Sequence, residues 1–216
     1  MLEDHWYILG AGAIGSLFAC QFERANIHST LLVRLDQSTQ VNLSHVEKTS
    51  RSIDVTFLDG SEHNFSIQTL PSTQSSITRS KRSLTTLPIQ QLILTTKAHQ
   101  SQAAIDNIRS LLAEKAIIVV MQNGMGVAQQ LQAQLPQCSI FVATTTEGAH
   151  RPTASSLIHA GAGETWIGYL PSNSQKDYCT ESITAQSIAE QWQRTTLSIH
   201  YDHNIIQRLW TKLAIN

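Results

Sequence analysis

The stretch Trp6-Tyr7-Ile8-Leu9-Gly10-Ala11-Gly12-Ala13-Ile14-Gly15 decides the fold class. An apolar run that enters G-x-G-x-x-G and leaves into a helical pattern is the fingerprint of a dinucleotide-binding βαβ unit, because each glycine answers a separate steric demand. Gly10 lets the chain turn tightly, Gly12 lets backbone approach a pyrophosphate, and Gly15 lets helix and strand pack closely. Ala11, Ala13 and Ile14 complete the loop. The free N–H groups and positive end of the helix then face the negative charge of the cofactor. A glycine turn in any α/β protein shows the same residues, so the flanking segments must decide.

Downstream, Ile14, Leu17, Phe18 and Phe22 recur at helical spacing until Asn26, and Leu31-Leu32-Val33 reads as the second parallel strand. That strand ends at Arg34. Enzymes that use NAD usually place an acidic residue here for the ribose hydroxyls, whereas a guanidinium pairs bidentately with a 2′-phosphate. Arg34 therefore argues for NADP, while Asp36 keeps NAD open.

Further out, Ile53–Phe57 and Asn64–Ile67 alternate around the turn signal Asp59-Gly60, predicting an antiparallel hairpin beside the parallel sheet. Ser72–Thr86, rich in Ser, Thr, Arg and Lys, reads as a surface loop. The strand Leu92–Thr96 delivers Lys97 to its carboxyl end, and a helix carrying Ala104, Ile105, Ile108, Leu111 and Leu112 follows. Ala116–Met121 is a strand ending in Gln122-Asn123-Gly124-Met125-Gly126, Val127–Leu135 a helix stopped by Pro136, and Ser139–Thr144 another strand. Ligands of open α/β sheets bind beyond the carboxyl ends of strands. Gly10–Gly15, Arg34, Lys97, Asn123 and the segment after Thr144 should therefore share one crevice. Ser156–His159 and Trp166–Gly168, with Gly161-Ala162-Gly163 between them, predict a second hairpin. Pro171–Lys176 reads as a loop, Ile183, Ile188, Ala189 and Trp192 as a helix, and Leu197–Tyr201 as a last strand. Asp202 can cap a final helix whose apolar residues Ile206, Leu209, Trp210 and Leu213 form one stripe.

The chain has 216 residues, enough for a sizeable core. With 14% charged residues and a formal net charge of -1 there is no electrostatic case for a nucleic-acid or anionic-membrane partner. Met1–His5 is acidic and runs into a strand, so the expectation is no secretory signal, no membrane-spanning helix and a cytoplasmic protein. Cys20, Cys138 and Cys179 lie far apart outside any C-x-x-C pair, which suits a reducing compartment. The nine histidines show no metal-ligand spacing, so no metal site is expected.

Arg208, Lys212 and Asn216 stand at i, i+4 and i+8 of the last helix, hence on one face. Carbonyl reduction needs a hydride donor, an acid to protonate the nascent alkoxide, and groups that hold the substrate's oxygens. Lys212 and Asn216 have the right chemistry for two of these needs, although polar sets of this spacing are ordinary on solvated helix faces.

The motifs G-A-G-A-I-G at 10–15, T-T-K-A-H-Q at 95–100, Q-N-G-M-G at 122–126, T-T-T-E-G-A at 144–149 and L-W-T-K-L-A-I-N at 209–216 resemble the ketopantoate reductase (2-dehydropantoate 2-reductase) family, in the family's order. The resemblance implies an NADPH-dependent reduction of 2-dehydropantoate to pantoate, on the route to pantothenate and coenzyme A. It implies that Gly10, Gly12 and Gly15 cradle the pyrophosphate and that Arg34 holds the 2′-phosphate. Lys97 and Asn123 would line the nicotinamide and ribose side, and Ala149 would offer backbone to the cofactor. Lys212 would be the catalytic acid, with Asn216 on substrate oxygens.

The implied architecture is α/β: a Rossmann-type dinucleotide-binding domain with added β hairpins over residues 1–201, then the first helix of a truncated all-helical domain at 202–216. Family members continue past the position of Asn216 with further substrate-binding residues, so the expectation is either a fragment or a shortened gene product. A non-catalytic NADP-binding remnant and a reductase of another branched 2-oxo acid remain alternatives. An apolar stripe at Trp210 and Leu213 without its packing partner would suit burial in a homodimer.

Overall fold

The computed structural model describes residues 2, 4–34, 49–72, 88–122, 125–170 and 178–215. Asp36, most of the Ser72–Thr86 loop, Asn123, the Pro171–Lys176 loop and Asn216 lie outside the described residues.

The opening βαβ unit forms as its pattern predicts. Strand β1 (His5–Leu9) leads through the glycine loop into helix α1 (Ala13–Arg24) and then β2 (His28–Val33), which pairs in parallel with β1. On the other side of β1 lies β5 (Ile89–Leu94), followed by β6 (Leu112–Met121) and β7 (Ser139–Thr145), all parallel. Helices α2 (Ala98–Ile108) and α3 (Val127–Gln134) make the crossovers. The chain therefore leaves β1 for β2 on one side and later returns to β5 on the other. That reversal opens a crevice at the carboxyl ends of β1 and β5, where α/β proteins bind ligands.

Two hydrophobic cores flank the sheet. On one face α1 and α4 (Tyr178–Trp192) bring Phe18, Phe22 and Trp192 onto Trp6 and Ile8. Trp6 and Trp192 meet edge to face at 5.2 Å, and the Trp6 indole donates to Gln191 Oε1 at 2.9 Å. On the other face α2, α3 and α5 (Ile205–Ile215) cover Leu92, Leu94, Ile118 and Ile140. Coverage on both faces explains the continuous apolar runs of β5, β6 and β7.

The first predicted hairpin is present. β3 (Thr49–Thr56) and β4 (Glu62–Pro71) are antiparallel, β4 continues the sheet beside β2, and Gly60 supplies the turn with φ +79°.

The second predicted hairpin is corrected. β9 (Ser156–Gly161) and β10 (Glu164–Tyr169) are not partners. Instead β10 pairs antiparallel with β7 and β9 pairs antiparallel with β8 (Gly148–His150). Together β7–β8 and β9–β10 form one long ribbon, folded at a corner and turned at residues 151–155. The glycines make the corner rather than the turn. Gly148 faces Gly161, and a Cβ on Gly163 would stand 2.3 Å from the Thr146 carbonyl carbon. β10 also takes β11 (Ser198–Tyr201) as a parallel neighbour, while β9 pairs in parallel with β3, so among the described residues the sheet has eleven strands, with β11 at one edge and β8 of the ribbon at the other.

Two smaller expectations also change. Leu111 ends a 3₁₀ turn and Leu112 opens β6, so neither belongs to the preceding helix. In α5, Ile205 and Leu209 are buried while Ile206, Trp210 and Leu213 are exposed, so the single stripe splits into an inward pair and an outward face.

Candidate active site

The glycine loop is built by sterics. Gly10 has φ +121°, and a Cβ there would meet Thr95 Oγ1 at 2.7 Å and Thr96 N at 2.8 Å. A Cβ on Gly15 would lie 2.0 Å from the Gly10 carbonyl oxygen, so α1 and the turn pack as closely as backbone permits. The Thr95 hydroxyl closes the loop by donating to Gly10 O at 2.7 Å. Gly12 differs: nothing lies within 4 Å of its would-be Cβ, and as N-cap of α1 it makes no side-chain hydrogen bond. The helix N-terminus is thus open to an anion at this point, which fits a dinucleotide pyrophosphate.

Two adjoining cavities lie beside this loop. One, of about 290 Å³, is lined by Ile14, Thr95–Ala98, Met121, Gln122, Thr145 and Lys212. The second, of about 440 Å³, shares Ile14, Thr145 and Lys212 and adds Thr146, Glu147, Glu164, Trp166 and Arg208 among its walls. Lys212 stands where they meet. Its ammonium donates to the main-chain carbonyl of Thr145, and its half-burial lowers its pKa below the usual lysine value. In the first cavity the Gln122 amide donates to Thr96 Oγ1 at 3.2 Å and to Ser101 Oγ, joining the ends of β5, β6 and α2.

The larger cavity has a cationic wall. Arg208 lies over the Trp166 ring at 3.8 Å, and its Nε donates to Asp202 Oδ2 at 2.8 Å. Asp202 also accepts from the Asn204 backbone at 2.7 Å. Burial opposes the Asp202 carboxylate, but these hydrogen bonds outweigh it and hold its pKa below the usual value. At the ribbon's corner, Glu147 Oε2 and His159 Nε2 are 2.7 Å apart, with both side chains almost wholly buried.

The sequence-predicted residues meet in part. Ile14, Lys97 and Lys212 share the smaller cavity. Arg34 is exposed after β2, on the other side of β1 from Lys97. Ala149 is half-buried in β8, packed against the first core, and lines neither cavity. Asn123 and Asn216 lie outside the described residues. Arg151 was not anticipated: its Nη1 donates to Ala11 O at 2.5 Å, bolting the ribbon to the glycine loop across 140 residues. Cys20 is buried in α1, where burial pushes its thiol up to about 12, so it is inert.

The sequence pattern of the family described as "Ketopantoate reductase PanE/ApbA" matches residues 6–172, well over half the chain. The chain belongs to the ketopantoate reductase family. Its relatives include the 2-dehydropantoate 2-reductase of Vibrio cholerae, 28% identical over 209 residues, a match covering 97% of this chain and 59% of that protein. Among solved structures, D-mandelate dehydrogenase with NADH and anilino(oxo)acetate superposes with a TM-score of 0.75 at 19% identity, over 96% of this chain and 60% of that one. The 2-dehydropantoate 2-reductase of Methylococcus capsulatus does so with a TM-score of 0.71 at 17% identity, over 96% and 60%. At those identities the structures show a shared fold, that of the Rossmann-like domain of ketopantoate reductases. The chain spans about 60% of the length of the Vibrio cholerae and Methylococcus capsulatus relatives. Among its described residues no helix is long and apolar enough to cross a membrane.

Proposed function

We propose that this chain binds NADPH and takes part in the reduction of 2-dehydropantoate to pantoate, the step toward pantothenate and coenzyme A, with Lys212 as the acid. One observation carries this reading. Lys212, from the last helix, shares a cavity with Ile14 of the glycine loop and with Lys97 at the carboxyl end of β5.

Gly10, Gly12 and Gly15 would hold the pyrophosphate, with Ala11, Ala13 and Ile14 giving backbone, and the open space at Gly12 supports this. Arg34 would pair with the 2′-phosphate, its exposed guanidinium at the end of β2 being free to do so. Lys97, Asn123 and the backbone of Ala149 would line the remainder, and Asn216 would bind substrate oxygens. When bound, NADPH supplies a hydride to the carbonyl carbon. Lys212 polarises the 2-oxo oxygen and delivers its Nζ proton there as the alkoxide forms, giving the 2-hydroxy acid. Its lowered pKa suits it to give up that proton.

The test is 2-dehydropantoate-dependent NADPH oxidation by the purified chain, with Lys212→Ala as control. Turnover that disappears in the variant supports the reading. NADPH binding without turnover would make the chain a nucleotide-binding module, and turnover preferring another branched 2-oxo acid would reassign the substrate.

A further inference from the structure

We propose that Arg208 is the substrate-carboxylate receptor of this site, holding the charged end of a 2-oxo acid beside Lys212; this rests on the reading of the cavity as that of a 2-oxo acid reductase. Arg208 and Lys212 stand one helical turn apart on α5 and both line the 440 Å³ cavity. In a 2-oxo acid the carboxylate and the carbonyl are on adjacent carbons. One ligand in this cavity would offer its carbonyl oxygen to the ammonium and its carboxylate to the guanidinium.

The arginine is held in place from two directions. Asp202 Oδ2 takes its Nε at 2.8 Å, and the Trp166 indole carries its flat face at 3.8 Å. Trp166 is backed in turn by the His200 ring, stacked at 4.4 Å. The contact to Asp202 runs through Nε, so the two Nη groups are left as a planar pair of donors, the geometry that binds a carboxylate bidentately.

Of the two acidic residues in the same cavity, Glu147 is buried and paired, and Glu164 faces Trp166 and His200. Glu147 is tied to His159 at 2.7 Å. Glu164 Oε2 accepts from the Trp166 indole at 3.4 Å, and its Oε1 lies 3.8 Å from His200 Nε2. Trp166 and Ile14 add apolar wall for a branched carbon chain. The ligand class is a 2-oxo monocarboxylate with an apolar branch, taken in its ionised form.

The experiment is calorimetric titration of the chain saturated with NADP⁺, which cannot reduce the ketone, using 2-dehydropantoate and, separately, its neutral lactone. Arg208→Gln is expected to weaken acid binding about tenfold or more while leaving NADP⁺ and lactone affinities unchanged. Arg208→Lys keeps the charge and loses the fork, so it should fall between the two. Thermal unfolding of each variant confirms folding. Unchanged acid affinity in a folded, NADP⁺-binding Arg208→Gln overturns the proposal alone. An unaltered chain that binds NADP⁺ and no 2-oxo acid overturns the substrate-class reading and the proposal with it.

Discussion

The ammonium of Lys212, on the last helix, donates to the main-chain carbonyl of Thr145 at the end of β7. This contact ties α5 to the sheet beside the glycine loop and leaves two further Nζ protons on a side chain that lines both cavities. Lys212→Met is expected to lower turnover by about 10²–10⁴-fold, the range of a lost general acid, with NADPH affinity little changed. Steady-state kinetics alongside a cofactor titration reads both.

The pH dependence follows from burial, which lowers the Lys212 pKa below 10.5. An acid catalyst must be protonated, so the rate should fall on the alkaline side with a midpoint under that value. For stability the sign is set by the proton count. Below the folded pKa the lysine is charged in both states and the desolvation penalty is fully present. Between the folded value and 10.5 the unfolded chain holds more proton, so this group makes stability rise with pH. Lys212→Met should flatten that rise in thermal unfolding followed across alkaline pH; an unchanged slope would show that Lys212 is not desolvated.

Gly12 and Gly15 should separate binding from folding. Gly15→Ala places a Cβ 2.0 Å from the Gly10 carbonyl oxygen, so it is expected to destabilise the chain by about 1–3 kcal/mol. Gly12→Ala meets nothing within 4 Å and should unfold at nearly the original temperature. Its methyl group would instead occupy space offered to the pyrophosphate, so NADPH affinity should drop. A Gly12→Ala chain with full affinity would remove the pyrophosphate from this loop.

Arg34 is exposed at the end of β2, and its proposed partner exists only in NADPH. Arg34→Ala should weaken NADPH by roughly tenfold to a hundredfold, the worth of a charge-assisted hydrogen bond of about 1.5–3 kcal/mol, and leave NADH unaltered. Paired titrations with the two cofactors decide it, since equal losses for both would place the arginine's effect elsewhere.

The parts of this fold carried by local pattern were readable in advance. Glycines at fixed offsets and a helical stripe behind them specify the βαβ unit within thirty-three residues, and the parallel strands announce themselves as apolar runs. Lys97 and Lys212 could be placed because strand ends and helix faces follow from those patterns. Strand partners could not. Trp166–Gly168 reads the same whether it pairs with β9 or with β7, and the close approaches of Gly148 to Gly161 and of Gly163 to Thr146 that fit the folded ribbon lie between residues far apart in sequence. The stack of Arg208 on Trp166 and the bolt from Arg151 to Ala11 likewise join residues whose separations carry no local signal. Charge and aromatic content along the chain do not say which side chains a corner will bring together.

That corner offers the last test. Glu147 and His159 are 2.7 Å apart, with side chains 3% and 5% exposed, where the paired ribbon bends beside the larger cavity. Each is the other's partner in a nearly buried corner, so truncating one leaves the other without it. His159→Ala is expected to destabilise the chain by about 3 kcal/mol, and Glu147→Ala by a similar amount. Because the two losses describe one interaction, the double variant should fall well short of their sum. Chemical denaturation of the four proteins in a double-variant cycle measures this. Strict additivity would show that the two residues stabilise the corner independently and that the contact between them contributes nothing.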